Sequence, residues 1–251
     1  MRRFLTWYLP LAAAMLSTTV FAYGFANWLR GDTGSPVDFV PAESQVEAPA
    51  SVIAPIILGD SLARGAGDPE GLGIAGRLDQ ELRERDIKAR RTHNVAVSGA
   101  RTPDLLRVLE RPNVQRMLAE SNVIIVSIGG NDLWGGSDWR NATPEDPDAV
   151  MGEVLDRVER AHELIRAANR DARIFFIGLY NPFVETPGGA SLSEHVNRWN
   201  AHVIERFSSD RTFTLVQTSD IFSHHDRLSL DRFHPGGEGY ELIARRIADA
   251  L

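Results

Sequence analysis

Ile56-Ile57-Leu58-Gly59-Asp60-Ser61-Leu62 is the stretch on which the reading of this sequence turns. Its first half is apolar and β-branched, as in a strand buried on both faces of a parallel sheet. Hydrophobicity then stops at Gly59-Asp60-Ser61, and a glycine-rich segment follows, with Gly65, Gly67, Gly71 and Gly73. A serine at the C-terminal tip of a buried strand lies where open α/β sheets place their ligands. Asp60 and Ser61 also suit a helix N-cap, which a strand-to-helix junction requires. Both readings stand on this stretch alone.

The pattern repeats downstream. Short apolar runs at Val52–Leu58, His93–Val97, Val123–Ile128, Arg173–Leu179 and Phe213–Val216 are strand candidates. Between and after them, helical periodicity covers Ile74–Arg85, Pro103–Glu120 with a break point at Pro112, Asp148–Asn169, Ser191–Ser208 and Gly237–Ala250. Strands alternating with amphipathic helices predict right-handed βαβ units and a parallel sheet. Five strands fit a flavodoxin-like, three-layer α/β/α sandwich. Leu133–Pro147 breaks the rhythm with Trp134, Gly135, Gly136, Trp139, Pro144 and Pro147, and is long for a strand-to-helix connection.

Composition narrows the function classes. The 251 residues are 43% hydrophobic and 24% charged, which suits one globular domain of roughly 200 residues. Net charge is −7, and the densest basic run, Lys88-Ala89-Arg90-Arg91, is too short for a nucleic-acid surface. Cysteine is absent, so disulfides, thiolate metal sites and cysteine nucleophiles are excluded. Neither His195 and His202 nor His224-His225 has metal-ligand spacing to acids. The glycines after Ser61 miss the dinucleotide fingerprint. No cofactor or metal is expected.

The N-terminal fifth is organised differently. After Met1-Arg2-Arg3, the 26 residues Phe4–Leu29 carry no charge. That exceeds a signal-peptide core of about 7–15 residues and reaches the roughly 20 that span a bilayer. Residues 1–30 are read as an uncleaved membrane anchor, with a signal peptide cleaved after Val20-Phe21-Ala22 as the alternative. Arg2 and Arg3 would hold the N-terminus in the cytoplasm and leave the remainder outside, periplasmic or extracellular, or secreted if the segment is cleaved. Residues 31–50, with Pro36, Pro41 and Pro49, read as a tether, and 51–251 as the globular domain.

Three further stretches follow strand ends or open the last helix. Ser98-Gly99-Ala100 can present an unobstructed N–H. Gly129-Gly130-Asn131-Asp132 can aim a side-chain amide at a developing oxyanion. Asp231-Arg232-Phe233-His234 supplies a base and a carboxylate three residues apart, and a serine nucleophile needs such a pair. Together with Gly59-Asp60-Ser61-Leu62 these resemble, in order and spacing, the four blocks of the SGNH or GDSL hydrolases, over about residues 52–250. The resemblance implies metal-free hydrolysis of acyl esters. It implies Ser61 as nucleophile, His234 as general base and Asp231 as its orienting partner. The Ser61 and Gly99 N–H groups and the Asn131 side chain would form the oxyanion hole. Arg101 and Pro103 depart from the small polar residues the family pattern leads one to expect there. Asp60, Trp134 and Trp139 are candidate substrate-lining residues. The interleaved acids of the Leu133–Pro147 loop suggest a short acyl group, acetyl to about butyryl, on a small-molecule or glycan alcohol. A lipid ester is the alternative within enzymes, and a non-catalytic binding module on the same scaffold is the rival from another class.

Overall fold

The computed structural model describes residues 14–26, 52–133, 147–186 and 189–251. The chain divides into two units, Met1–Glu47 and Ala48–Leu251. In the first, residues 14–26 form a helix, α1. Its polar hydroxyls bond back to its own carbonyls: Thr18 Oγ1 donates to Ala14 O and Thr19 Oγ1 to Met15 O, each at 2.8 Å. α1 exposes large apolar side chains, including Leu16, Val20 and Phe21. At 1.5 Å per residue α1 is about 20 Å long, against about 30 Å of hydrocarbon in a bilayer. Among the described residues no helix is long and apolar enough to cross a membrane. The remainder of Phe4–Leu29 and the tether 31–50 lie outside the described residues.

The second unit is built on five parallel strands: β1 Pro55–Gly59, β2 His93–Asn94, β3 Val123–Ser127, β4 Arg173–Ile177 and β5 Phe213–Val216, in the order β2-β1-β3-β4-β5. This is the three-layer α/β order expected from the alternating pattern. β1 and β3 pair in register along their whole length, Pro55 opposite Val123 through Gly59 opposite Ser127. At the tip the two backbones come closer than any side chain permits. A Cβ on Gly59, whose φ is +129°, would lie 1.8 Å from the Ser127 carbonyl oxygen. That oxygen instead accepts the Asp60 N–H at 3.0 Å, holding the strands together up to the residue before Ser61.

Side-chain alternation along the strands divides the core. Ile56, Leu58, Ile124, Val126 and Phe176 face one layer, formed by α4 Thr102–Leu109, α5 Pro112–Ala119, α7 Pro147–Ala168 and α8 Gly189–Arg206. Ile57, Ile125, Phe175 and Ile177 face the other, formed by α2 Ser61–Arg64, α3 Gly73–Glu84 and α9 Gly237–Asp249. Strands buried on both faces explain the unbroken apolar runs. Pro112 does split the predicted Pro103–Glu120 helix, sitting in the first turn of α5 where its missing N–H costs nothing.

The second strand is shorter than the predicted His93–Val97. Only His93 and Asn94 pair fully with β1. The Asn94 side chain then turns inward, donating to Ala63 O at 2.8 Å and accepting the Ala96 N–H at 3.1 Å. Val95 and Val97 still donate to Ile57 and Gly59 of β1, at 2.9 Å each, so the chain tracks the sheet on one side.

Candidate active site

Ser61 follows β1 directly as the first residue of α2. Its N–H belongs to the first turn, which an α-helix leaves without an internal partner. Asp60 caps this helix, its Oδ1 accepting the Leu62 N–H at 3.1 Å and the Ser127 Oγ–H at 3.2 Å. Asp60 is 6% exposed. It lies in the floor of the cleft, and these contacts are structural ones. Burial pushes its carboxyl up from 3.8 to about 6, against the opposing hydrogen bonds from Ala63, Ser127 and Leu62.

The C-terminal loop brings His234 to Ser61. His234 Nε2 lies 2.8 Å from Ser61 Oγ, and His234 Nδ1 lies 2.7 Å from Asp231 Oδ2. Partial burial pushes the Asp231 carboxyl up, but bonds from His234, Ser229 and the 233 and 234 N–H groups outweigh it and hold it at about 2. Asp231 is thus ionised and accepts only, so His234 carries its proton on Nδ1 and turns the lone pair of Nε2 toward Ser61. The loop is closed on itself. Asp231 Oδ1 accepts Ser229 Oγ at 2.6 Å and both the Phe233 and His234 N–H groups at 2.9 Å. Arg232, between them, has φ +54°, a left-handed conformation that a non-glycine residue holds only where its surroundings impose it. Tyr180 Oη, deeply buried, donates to Phe233 O at 2.6 Å and Tyr240 Oη to Ala66 O at 2.6 Å, tying this loop and the one after Ser61 to the scaffold.

Asn131 stands in the short helix α6 Gly130–Leu133 after β3. Its Nδ2 donates to Ala100 O at 2.9 Å. That bond fixes the amide and leaves a second hydrogen on the same nitrogen. Gly99, just before Ala100, has φ +77°. Gly129 has φ +105°, and a Cβ there would crowd the buried ring of Trp199 at 3.0 Å. Asp60, Ser61, Asn131 and His234 line one cleft, whose wall also includes Gly178, Leu179, Tyr180, Pro182 and Phe233.

Trp134 and Trp139 lie outside the described residues. The structure adds residues that the sequence reading missed: Ser229 and Ser127, which hold the two aspartates, and Tyr180, which both lines the cleft and fixes Phe233. None carries a local signal, because each acts through a partner distant in sequence or through a turn. Elsewhere, His225 Nδ1 and Glu185 Oε2 are 3.1 Å apart, and His202 faces Glu205 at 3.8 Å. Among the described residues no group of three or more His, Asp or Glu is placed to hold a metal ion.

The buried Asp60 makes a thermodynamic prediction. Its folded pKa lies above its unfolded value, so the folded state binds the proton more tightly between pH 3.8 and about 6. The contribution to stability is present below this window and is lost as pH rises through it, by at most about 3 kcal/mol. Asp60→Asn keeps the Oδ1 acceptor and removes the titration. Chemical denaturation at pH 4.5 and pH 7 is expected to show wild type losing stability relative to Asp60→Asn; parallel behaviour would contradict a buried titrating carboxyl.

Comparison with known proteins agrees with this geometry. The sequence matches the GDSL-like Lipase/Acylhydrolase family over residues 57–242. It is 34% identical over 203 residues to the uncharacterised protein YpmR of Bacillus subtilis strain 168, covering 77% of this chain and 79% of that one. It is 27% identical over 207 residues to the spore germination lipase LipC of Bacillus licheniformis, covering 77% and 93%. The lipase Lip_vut3 from a goat rumen metagenome superposes with a TM-score of 0.69 at 23% identity, over 79% of this chain and 97% of that one. With four motif blocks gathered at one end of a parallel sheet and a family match over most of that unit, the chain belongs to the GDSL-like lipase/acylhydrolase family and is a hydrolase of carboxylic esters.

Proposed function

We propose that this protein hydrolyses short-chain acyl esters by a Ser61-His234-Asp231 mechanism. The observation that carries the reading is the unbroken run of bonds from Ser61 Oγ to His234 Nε2, 2.8 Å, and from His234 Nδ1 to Asp231 Oδ2, 2.7 Å. In the first half-reaction Ser61 Oγ attacks the ester carbonyl carbon while His234 Nε2 takes its proton. The carbonyl oxygen becomes an oxyanion held by the Ser61 and Gly99 N–H groups and the second Asn131 amide hydrogen. Collapse breaks the bond to the alcohol, which leaves with the proton from His234. Water then attacks the acyl-serine by the same route, His234 taking its proton, and the carboxylic acid leaves as Ser61 is regenerated. Asp231 stabilises the imidazolium in both halves.

Ser61→Ala is expected to fold and to lose esterase activity and labelling by a fluorophosphonate. Asn131→Ala is expected to lower kcat about 10²–10³-fold with KM little changed, as for a donor used only in the transition state. Turnover by Ser61→Ala at the wild-type rate would remove the serine mechanism. A pure KM effect at Asn131 would make it a substrate-binding residue instead.

The acyl group is assigned to the apolar wall formed by Leu179, Pro182 and Phe233. The ring of Phe233 lies edge-on to His234, 5.0 Å between centroids, and so borders the reacting carbon. In the sequence, Asp138, Arg140, Glu145 and Asp146 follow Asn131 closely and suit a polar or glycan alcohol. Nitrophenyl esters from acetate to palmitate test the size limit. The fastest turnover is expected between acetate and butyrate, and an optimum at long chains would instead favour a lipid ester.

The N-terminal segment is proposed as a membrane anchor with the catalytic unit outside the cytoplasm. The charge-free run Phe4–Leu29 and the back-bonded hydroxyls of α1 support this. The full chain is expected to stay with membranes through a high-salt wash, and a chain starting near Ser51 to be soluble and active. A mature protein beginning near Tyr23 would show a cleaved signal peptide.

A further inference from the structure

The sheet leaves a gap in the support of the oxyanion hole. Gly99 follows β2 and Asn131 follows β3, but β1 lies between them, so no ladder bond fixes one loop against the other. β2 is short: two residues pair fully with β1, and beyond them Val95 and Val97 bond to β1 on one side only. The two loops must nevertheless hold their donors about 3 Å from one oxygen atom.

They meet over the tip of β1 through side chains. Asn131 Nδ2 donates to Ala100 O at 2.9 Å. Next to it, both carboxylate oxygens of Asp132 accept from Thr102, the first residue of α4. The Thr102 N–H donates to Oδ2 at 2.9 Å and to Oδ1 at 3.2 Å, and Thr102 Oγ1 donates to Oδ1 at 2.7 Å. The same Thr102 hydroxyl accepts Arg157 Nε from α7 at 2.8 Å, and Arg157 Nη2 stands 4.0 Å from Asp132 Oδ1. The threonine hydroxyl thus spends its one proton on Asp132 and a lone pair on Arg157, which fixes its rotamer. Thr102 is 1% exposed and the Asp132 side chain 5%, so water competes little for these bonds. None of the three residues lines the cleft.

We propose that Thr102, Asp132 and Arg157 form a brace that sets the spacing between the Gly99 and Asn131 donors, and are positioning residues for the oxyanion hole. The proposal rests on the reading of Gly99 and Asn131 as oxyanion donors. Its direction follows from the linkage: Asp132 adjoins Asn131, Thr102 lies three residues from Gly99, and Arg157 anchors the pair to the long helix α7. A loosened brace leaves Ser61 and His234 untouched and spoils only the fit of donors to the developing charge. The loss therefore falls on kcat and not on KM.

The test is Thr102→Val, which keeps shape and the backbone bond to Asp132 but removes the hydroxyl. It is read as kcat and KM on nitrophenyl acetate and as the rate of fluorophosphonate labelling, whose addition step also builds negative charge in the hole. Thr102→Val is expected to lower kcat and the labelling rate in parallel by about 10–10²-fold, the scale of a misplacement near 1 Å, with KM little changed. Thr102→Ser, which restores the hydroxyl, is expected to recover most of this. In an Asn131→Ala background the Thr102→Val loss is expected to shrink, because the spacing of a missing donor no longer matters. If Thr102→Val does not fold, Arg157→Met removes the brace from its half-buried end and is read the same way. Wild-type kcat in Thr102→Val or Arg157→Met, an equal loss in Thr102→Ser, or fully multiplicative losses with Asn131→Ala would overturn the brace alone. An unchanged kcat in Asn131→Ala itself would overturn the oxyanion assignment and the brace with it.

Discussion

The contact between the backbones of Gly59 and Ser127 at the end of the β1–β3 ladder constrains everything that follows in the site. Parallel pairing sends the C-terminal ends of all strands to one edge of the sheet. The Asp60 N–H bond to Ser127 O keeps β1 and β3 joined to their last residues, so the two loops leave the sheet side by side. One carries Ser61 and the other Asn131. A side chain at residue 59 would force these backbones apart and separate Ser61 from Asn131, the proposed nucleophile and oxyanion donor. Asp60 and Ser127 then bond through their side chains directly above the same contact. The strand tips are therefore locked twice, by backbone and by a buried polar pair.

The base arrives by a different principle. His234 is 18 residues beyond the end of β5 and takes no position from the ladder. It is placed by a self-bonded turn from Ser229 to His234, which Tyr180 pins through the Phe233 carbonyl. The helix that follows, α9, buries Tyr240, Ile243, Ala244 and Ile247 in the same layer as Ile74, Leu78 and Leu82 of α3. Hydrophobic burial thus sets the turn's place, and hydrogen bonds set its orientation. This division explains how Arg232 can hold a positive φ: both flanks of the turn are fixed independently, and the residue between them has no choice.

The sequence was legible where one local force dominates. β1, β3 and β4 are buried on both faces, so hydrophobic runs marked them, and only their ends moved by a residue or a few. Pro112 marked a helix boundary because its ring forbids continuation. The four motif blocks were legible because the proposed chemistry demands particular side chains at strand ends and at the last helix. β2 was overestimated because Asn94 bonds to Ala63 and Ala96, an interaction with no trace in periodicity. Asp60, a candidate for touching substrate, is mainly occupied in capping α2 and holding Ser127. The partnerships of Thr102 with Asp132 and of Ser229 with Asp231 escaped for the same reason. A short polar side chain near a helix start has an ordinary role as a cap, and only the fold shows which ones have been recruited otherwise.

The bond between Ser61 and His234 joins residues 173 positions apart. This has a consequence for the timing of activity during synthesis. A ribosome makes the serine, both candidate oxyanion loops and all five strands of the scaffold before it reaches His234. On the proposed mechanism, until the last few tens of residues have emerged and α9 has docked, the chain carries Ser61 with no base to activate it. An unfinished or C-terminally clipped chain would then be inert toward esters, with no inhibitor or propeptide required. For a hydrolase whose chain is proposed to be threaded through a lipid bilayer, itself full of acyl esters, chemistry and chain completion are coupled by the order of residues alone.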